Sequence, residues 1–559
     1  MPADALPVVV INYLLLEHTL GLLLIRPFVN VNITITAPTH NFWPWIPIFE
    51  PATANNSTKD FLQIPSHNFW PWIPVDSDDF FKRNDTKDYF ELPTHNFWPF
   101  IPISEGNQTV EPTVPPKVPW PPSTNRYNYG EVMYKSILFF EVQRSGWLPE
   151  HRKIKWRGHS ALEDHGSDGE DLSGGWYDSG DYVKFGLPMA SATTLLLWGL
   201  VEYPDSYKSS GLLDDMRDCV RWPLDYFIKA HPQKYVFYGQ VGDPYLDHTY
   251  WGRPEDMDME RPAYKLTPEA PGSDVIAETA AAMAAGYMAF KVADPGYAKL
   301  LLKHAQELFE FAENFRGAYS ESIESAAEFY GSSNDEDELA WAAAWLYQAT
   351  NNKAYIKKAE YWYKLAPDCW AQSWADKTCG TPVLLYKLTK DKKYLLDIEK
   401  MFYHWLPGGT IHYTPKGLAY KDGWGTLRYT ANMAFLSLVA ADLNVQKKAY
   451  RQWAKQQIHY MLGDAGRSYV IGFGQDPPTR PHHASSSCRP APHDCSWADY
   501  NKPGPNSHTL YGALVGGPGR NDEYVDSRDD YIHNEVGCEY NGGFQSAVAA
   551  LRNLELSPS

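Results

Sequence analysis

"DVIAETAAAMAAGYMAFKVA", residues 274–293, decides the fold class. It is alanine-rich and free of proline, with apolar residues at spacings of three and four, the period of a helix rather than a strand. Alanine has the lowest helical cost of any residue. The same texture recurs at 297–315, 336–349, 353–365, 430–442 and 447–461, whereas alternating strand-like runs are scarce. Between these stretches lie long loops rich in Gly, Pro and Trp, and loops beyond about 15 residues usually carry function. The pattern predicts an all-α scaffold with its chemistry on loops at one end.

Bulk composition narrows the function. The chain has 559 residues and a formal net charge of −18, with 68 acidic against 50 basic side chains. That balance excludes a nucleic-acid partner, whose phosphates demand Lys and Arg. Aromatic residues make up 15%, including 21 Trp and 37 Tyr, enough to fill a large core or to stack on flat sugar faces. Cys219, Cys369, Cys379, Cys488, Cys495 and Cys538 show no CxxC metal spacing. Cys488 and Cys495 flank "CRPAPHDC" and are placed to close it as a disulfide, which requires an oxidising compartment.

The amino-terminal part has a different texture. Residues 1–30 form an apolar leader or anchor, interrupted by Glu17 and His18 and without the cationic start of an ordinary signal peptide. Residues 31–110 hold three near-identical units, "THNFWPWIP" at 39–47, "SHNFWPWIP" at 66–74 and "THNFWPFIP" at 94–102. The spacers carry the sequons "NIT", "NNST", "NDT" and "NQT", marks of an exposed, secreted segment. Units this small and proline-rich build little core, so the region reads as a glycosylated, extended arm. It serves either as a spacer or as a set of aromatic patches for a glycan or partner. Residues 111–124 are a stiff Pro-rich linker.

Two acidic constellations stand out in the remainder. "DLSGGWYDSGDYVKF", 171–185, crowds Asp171, Asp178 and Asp181 onto a glycine-rich backbone. Like charges this close raise one another's pKa, a poor bargain for a purely structural turn. Asp178 and Asp181 are spaced to converge on one water; a calcium loop or an Asx-turn is the alternative. "NDEYVDSRDDYIHNEVGCEYNGGF", 521–544, contains Asp526 and Glu535. A carboxylic acid among Tyr and His side chains, opposite an ionised Asp pair, is the pattern of glycoside hydrolysis.

From residue 125 to 556 the chain resembles glycoside hydrolase family 9, the endo-β-1,4-glucanases, and within it the animal and termite-like branch. The blocks that carry the resemblance stand in family order: "DLSGGWYDSGDYVKFGLPMA", "VGDPYLDHTYWGRPEDMDMERPAYKL", "PGSDVIAETAAAMAAGYMAF", "DELAWAAAWLYQAT", "YTPKGLAYKDGWGTLRYTANMAF", "LGDAGRSYVIGFGQDPPTRPHH", "LYGALVGGP" and "YVDSRDDYIHNEV". The resemblance implies an (α/α)6 barrel with an open cleft. It implies an inverting mechanism in which Asp181 is the general base, Asp178 helps hold the attacking water and Glu535 is the general acid. Asp526 would help position groups around the acid. Base and acid carboxyls are then expected about 6.5–9.5 Å apart. By the same resemblance His482 contacts substrate, and Trp374, Tyr420, Arg428 and Tyr531 are expected to line or adjoin the cleft; Tyr330 and Trp251 either line it or serve as packing residues.

The chain departs from the family pattern in three places. "PHHR" reads "PHHA", placing Ala484 where relatives have a sugar-contacting arginine, with Arg489 nearby as a substitute. "SWDDK" reads "SWADK", removing at Ala375 an oxygen donor of a calcium site whose remaining ligands would be Ser333, Asp337 and Glu338. The loop before Asp337 is shortened, with Ser332 where relatives carry a cleft Trp. Near the acid, "NEVGCEYNGGF" introduces Cys538, expected as a buried free thiol. No cofactor is required; calcium would be an accessory ion in an incomplete site. The expected partner is a β-1,4-glucan polysaccharide or oligosaccharide, met by a secreted, extracellular monomer. Membrane contact follows only if the first 26 residues act as an anchor. The competing readings are a weakly active glycan-binding protein and a hydrolase retuned to another β-glucan.

Overall fold

The computed structural model describes residues 126–556. The apolar leader, the three repeats and the Pro-rich linker lie outside the described residues. Twelve long helices, counted among the described residues, carry the fold: α1 (Tyr129–Val142), α2 (Gly186–Glu202), α3 (Leu213–Ala230), α4 (Ser273–Phe290), α5 (Pro295–Asn314), α6 (Glu336–Thr350), α7 (Lys353–Leu365), α8 (Gly380–Thr389), α9 (Lys392–Trp405), α10 (Thr426–Asp442), α11 (Lys447–His459) and α12 (Cys538–Leu556). The six expected helices are all present, with ends shifted by a few residues. Local chemistry starts several of them. Asp294 accepts from Tyr297 N ahead of Pro295 in α5, and Asp391 accepts from Lys393 N at the start of α9.

The even-numbered helices form the inner ring. α2 packs on α4, α4 on α6, α6 on α8, α8 on α10, α10 on α12, and α12 returns to α2, which closes the barrel. Each inner helix also packs against an odd-numbered outer one: α1 with α12, α3 with α2, α5 with α4, α7 with α6, α9 with α8 and α11 with α10. This is the (α/α)6 barrel that the family resemblance implies. The sorting follows side-chain chemistry. In α2 every residue from Gly186 to Leu200 is buried, whereas α7 buries only Ala359 and Trp362.

Inner and outer helices alternate along the chain, so the inner six run in one direction and present their amino-terminal ends together. The sheet content is small. Strands β1 (Lys184–Phe185), β2 (Phe237–Val241) and β3 (Ala263–Leu266) form one antiparallel sheet, and β4 (His412–Tyr413) pairs with β5 (Ala419–Tyr420). The expected Cys488–Cys495 disulfide is formed, and Cys369–Cys379 adds a second that the spacing did not single out. Cys219 and Cys538 are buried free thiols.

Candidate active site

The loops entering the inner helices carry the candidate residues. Asp178 and Asp181 precede α2, His248 precedes α4, and Tyr330 precedes α6. Trp374 precedes α8, Trp424 precedes α10, and His482 and Glu535 precede α12. Partial positive charge at helix amino termini suits a site built from carboxylates.

Three chain segments clamp the Asp loop. Cys538 N donates to Asp178 O at 3.0 Å, Ala484 N donates to Gly180 O at 3.0 Å, and His482 N donates to Asn534 O at 2.9 Å. Gly180 is needed for its lack of a side chain, since a Cβ there would lie 2.3 Å from His482 O. The hydroxyl of Ser179 donates to Glu535 Oε1 at 3.2 Å, joining the Asp loop directly to the distant acidic segment. Asp178, Asp181 and Glu535 are thereby brought together. Asp171 is not: it is exposed and pairs with Lys229 at 2.8 Å.

Each carboxyl is held differently. Tyr330 donates its hydroxyl to Asp178 Oδ2. His248 Nε2 lies 3.1 Å from Asp181 Oδ2. Asp178 Oδ1 and Asp181 Oδ1 are buried and have no hydrogen-bond partner. Burial, and next the charge of Asp181, pushes the Asp178 carboxyl well above the ordinary range. Burial alone would depress His248, but its hydrogen bond to Asp181, and the charges of Asp181, Asp247 and Glu535, raise it. Glu535 Oε2 accepts from Trp424 Nε1 and from the Tyr540 hydroxyl, each at 3.0 Å.

His482 is half-buried, and its loss of solvent lowers its pKa and keeps the ring neutral. Its Nδ1–H donates to Arg528 O at 2.8 Å, since a carbonyl only accepts, and this leaves Nε2 with a free lone pair. Tyr531 packs between His482 and Trp424, at ring separations of 5.9 and 5.3 Å. Trp374 stands edge-on to Tyr330 at 5.1 Å. Tyr420, on β5, meets His412 at 6.3 Å, and its hydroxyl adjoins Gly423 in the loop that carries Trp424.

Several expected site residues take other places. Arg428 is buried, and its guanidinium is committed to Glu539, the Tyr429 hydroxyl and Trp424 O. It anchors the Trp424 loop rather than offering donors to a groove. Trp251 is 6% exposed and donates to Ser487 Oγ at 2.9 Å, packing behind His482 at 5.3 Å. Asp526 uses both oxygens on Thr479 and Arg480, at 2.7–2.9 Å, and so fixes the loop leading to His482 without reaching the acid. Arg489 is 3.5 Å from Asp499 and is not a stand-in for the missing arginine, while Ala484 is buried among Tyr177, Tyr182 and Trp251.

For calcium, Asp337 Oδ1, both Glu338 oxygens and Asn334 Oδ1 are buried without partners, but Asp337 Oδ2 accepts from Lys377 N at 2.7 Å. Four free oxygens fall short of the six to eight that calcium takes, and Ala375 supplies none. The residues present do not make a full calcium shell. The sequence reading overlooked His248, Asp247, Ser179, Trp424 and Tyr540. His248 and Asp247 stood in plain view in "DPYLDHTYW", but their partner Asp181 is distant in sequence.

Residues 129–548 match the model for glycosyl hydrolase family 9. The chain belongs to that family. This family 9 member is an endoglucanase, a glycoside hydrolase, by the same match and by its relatives. It is 46% identical over 443 residues to Endoglucanase 4 of a Bacillus species (strain KSM-522), spanning 76% of this chain and 69% of that one. It is 41% identical to an endoglucanase of Dictyostelium discoideum, spanning 76% and 61%. Among solved structures, the endoglucanase of the termite Nasutitermes takasagoensis superposes with a TM-score of 0.75 at 52% identity, covering 77% of this chain and all of that one. Endoglucanase CelQ of Clostridium thermocellum, solved with cellobiose and cellotriose, gives 0.70 at 38% identity, covering 76% and 71%.

Proposed function

We propose that this endoglucanase cleaves internal β-1,4-glucosidic bonds of cellulose or a related glucan with inversion, using Asp181 as base and Glu535 as acid. The observation that carries the assignment is the pair of unpartnered oxygens, Asp178 Oδ1 and Asp181 Oδ1, in a loop whose other carboxylate oxygens are tied. A water seated there donates one hydrogen to each. Asp181 takes a proton as the water oxygen bonds to the anomeric carbon, from the face opposite the leaving group. The bond to the glycosidic oxygen breaks, and Glu535 delivers a proton to that oxygen.

Glu535 Oε2 is saturated by two donors, so the proton to be delivered sits on Oε1, where the Ser179 hydroxyl can turn to accept it. Solvent then returns the proton from Asp181 to Glu535. His248 fixes the Asp181 carboxylate, and Tyr330 fixes Asp178. Trp424, Tyr531 and Trp374 offer aromatic faces for sugar rings, and His482 Nε2 offers an acceptor to a sugar hydroxyl. No step calls on a metal.

Structural relatives solved with cello-oligosaccharides support this substrate class. Two disulfides, with the sequons of the repeat region, support a secreted protein.

The test is the configuration of the first product. Proton NMR during early hydrolysis of a cello-oligosaccharide should show the α-anomer, and an initial β-anomer would overturn the assignment. Glu535→Gln should lower kcat about 10²–10⁴-fold. An aryl cellobioside whose leaving group needs no proton should lose much less. Equal losses on both substrates would mean that Glu535 is not the acid.

A further inference from the structure

We propose that His231, His304 and Glu307 form a binding site for a divalent transition-metal ion of the zinc class, on the outside of the barrel between α3 and α5. His231 is the residue that ends α3, and His304 and Glu307 stand three apart on α5, hence on one face. One ligand atom from each of the three lies within 4.8 Å of the others. No other residue of these helices contributes to the reacting carboxyls, so the site is separate from the groove.

Nitrogen geometry selects a metal over a plain packing pair. His231 Nδ1 and His304 Nδ1 face each other at 2.8 Å, with the rings inclined at 74°. His231 Nε2 lies 3.4 Å from Lys234 O, and only an N–H can pair with that carbonyl. The tautomer of His231 is therefore set with its proton on Nε2 and a bare lone pair on Nδ1. A histidine that donates one ring N–H to a backbone carbonyl and points the other nitrogen inward is the arrangement that orients metal-ligating histidines. In the metal-free protein His304 Nδ1–H donates across the gap. When the ion enters, that proton moves to Nε2 of the same ring, and both Nδ1 lone pairs turn to the metal.

Burial lowers both imidazoles, His231 to about 4, so both are neutral, the metal-binding form, at ordinary pH. Glu307 adds an anionic oxygen. Among the described residues its ion pair is with Lys303 at 3.9 Å, a loose pair that a divalent ion would displace. Two nitrogens and one carboxylate suit zinc, copper or nickel rather than calcium or magnesium, and leave a position for water. The ion ties the end of α3 to the middle of α5, so it acts as a staple and not in the chemistry.

The test is titration of the full-length, chelator-treated protein with ZnCl2 by calorimetry, in parallel with His304→Gln and Glu307→Gln. The unmodified protein should bind one more equivalent than His304→Gln, and zinc should raise its unfolding temperature while leaving that of His304→Gln unchanged. Glu307→Gln, a substitution at a partly exposed position that cannot unfold the chain, should bind more weakly. Both variants should hydrolyse glucan at the parent rate in metal-free buffer. Identical stoichiometry and affinity in all three proteins would overturn the proposal, whether zinc bound nowhere or only beside Asp181, Asp247 and His248, the other cluster with donors this close among the described residues.

Discussion

Asp178 is buried to 4% exposure with one oxygen given to Tyr330 and the other given to nothing in the protein. An unpartnered buried carboxylate oxygen costs folding energy, and its persistence here fits the proposed role of accepting from the attacking water. Two expectations follow. Asp178→Asn keeps an oxygen for the Tyr330 hydroxyl but removes the buried charge. It should unfold at a higher temperature than the parent at pH 7 while losing most activity, since each unit of pKa elevation costs about 1.4 kcal/mol when the group must ionise. The elevation is on a carboxyl, so the advantage should shrink as the pH falls into the ordinary carboxylate range, where the parent is protonated in both states. Calorimetric scans of both proteins at pH 7 and pH 4 check this. Tyr330→Phe removes a hydrogen bond that lowers the Asp178 pKa. The acid limb of kcat/KM should therefore move to higher pH, whereas a merely structural role for Tyr330 would lower the whole profile without shifting it. At this scale the sequence singled out Asp178, Asp181 and Glu535, the carboxyls that the structure brings together, because their residue types and local glycines are a chemical signal. It did not reveal that Arg428 is spent inside the protein, and it left Trp251 open between cleft and packing, because exposure is settled by packing between remote segments.

At the scale of the element, helices were legible where one stretch was alanine-rich or amphipathic, as in α4, α5 and α7. Two of those that escaped did so for physical reasons. α2 is apolar on all faces and so has no period to detect, and α3 contains Pro223 within its span. Glycines inside the inner ring were likewise silent in the sequence, where each merely weakens a helix. The structure gives them a purpose. A Cβ on Gly199 of α2 would lie 2.3 Å from Ser546 Oγ and 3.0 Å from Ser546 Cα of α12, and one on Gly543 of α12 would lie 2.8 Å from Asn432 Cα of α10. These contacts involve backbone, so no rotamer change relieves them. Gly199→Ala gains helix propensity of up to about 1 kcal/mol. Forcing α2 and α12 apart in a packed core costs typically about 1–3 kcal/mol. The net effect should be destabilising, read as a lower urea midpoint. A midpoint at or above that of the parent would show that the two helices separate without penalty. α12 follows Glu535 by three residues, so the same variant should also lose some kcat in the folded state.

For the molecule as a whole, burial of titratable groups sets how stability responds to pH. Asp247, Asp274 and Asp337 are buried and pushed to about 7 from the ordinary 3.8, with burial the main cause in each. Between these values the folded state binds more protons than the unfolded state, so these groups make stability fall as pH rises. Loss of solvent lowers the buried His231 to about 4 and His483 to about 3, and the half-buried His508 to about 4, all from the ordinary 6.5. Between about 4 and 6.5 the folded state binds fewer protons at these sites, so they make stability fall as pH drops. The two sets oppose each other through that interval and flatten the curve. Above 6.5 these three histidines no longer differ between states, while the carboxyls and the raised His248 still discharge, so stability declines toward pH 8. A net charge of −18 at pH 7 adds self-repulsion in the same direction. Below about 4 the histidine cost is full, and Asp164, held low against burial by Lys184 and Arg261, begins to lose its ion pairs. The unfolding temperature should therefore be highest on a broad shoulder near pH 5–6 and fall on both sides. Asp274→Asn should selectively lift the alkaline side. A maximum above pH 8, or an alkaline limb unmoved by Asp274→Asn, would show that these buried carboxyls enter the fold already charged.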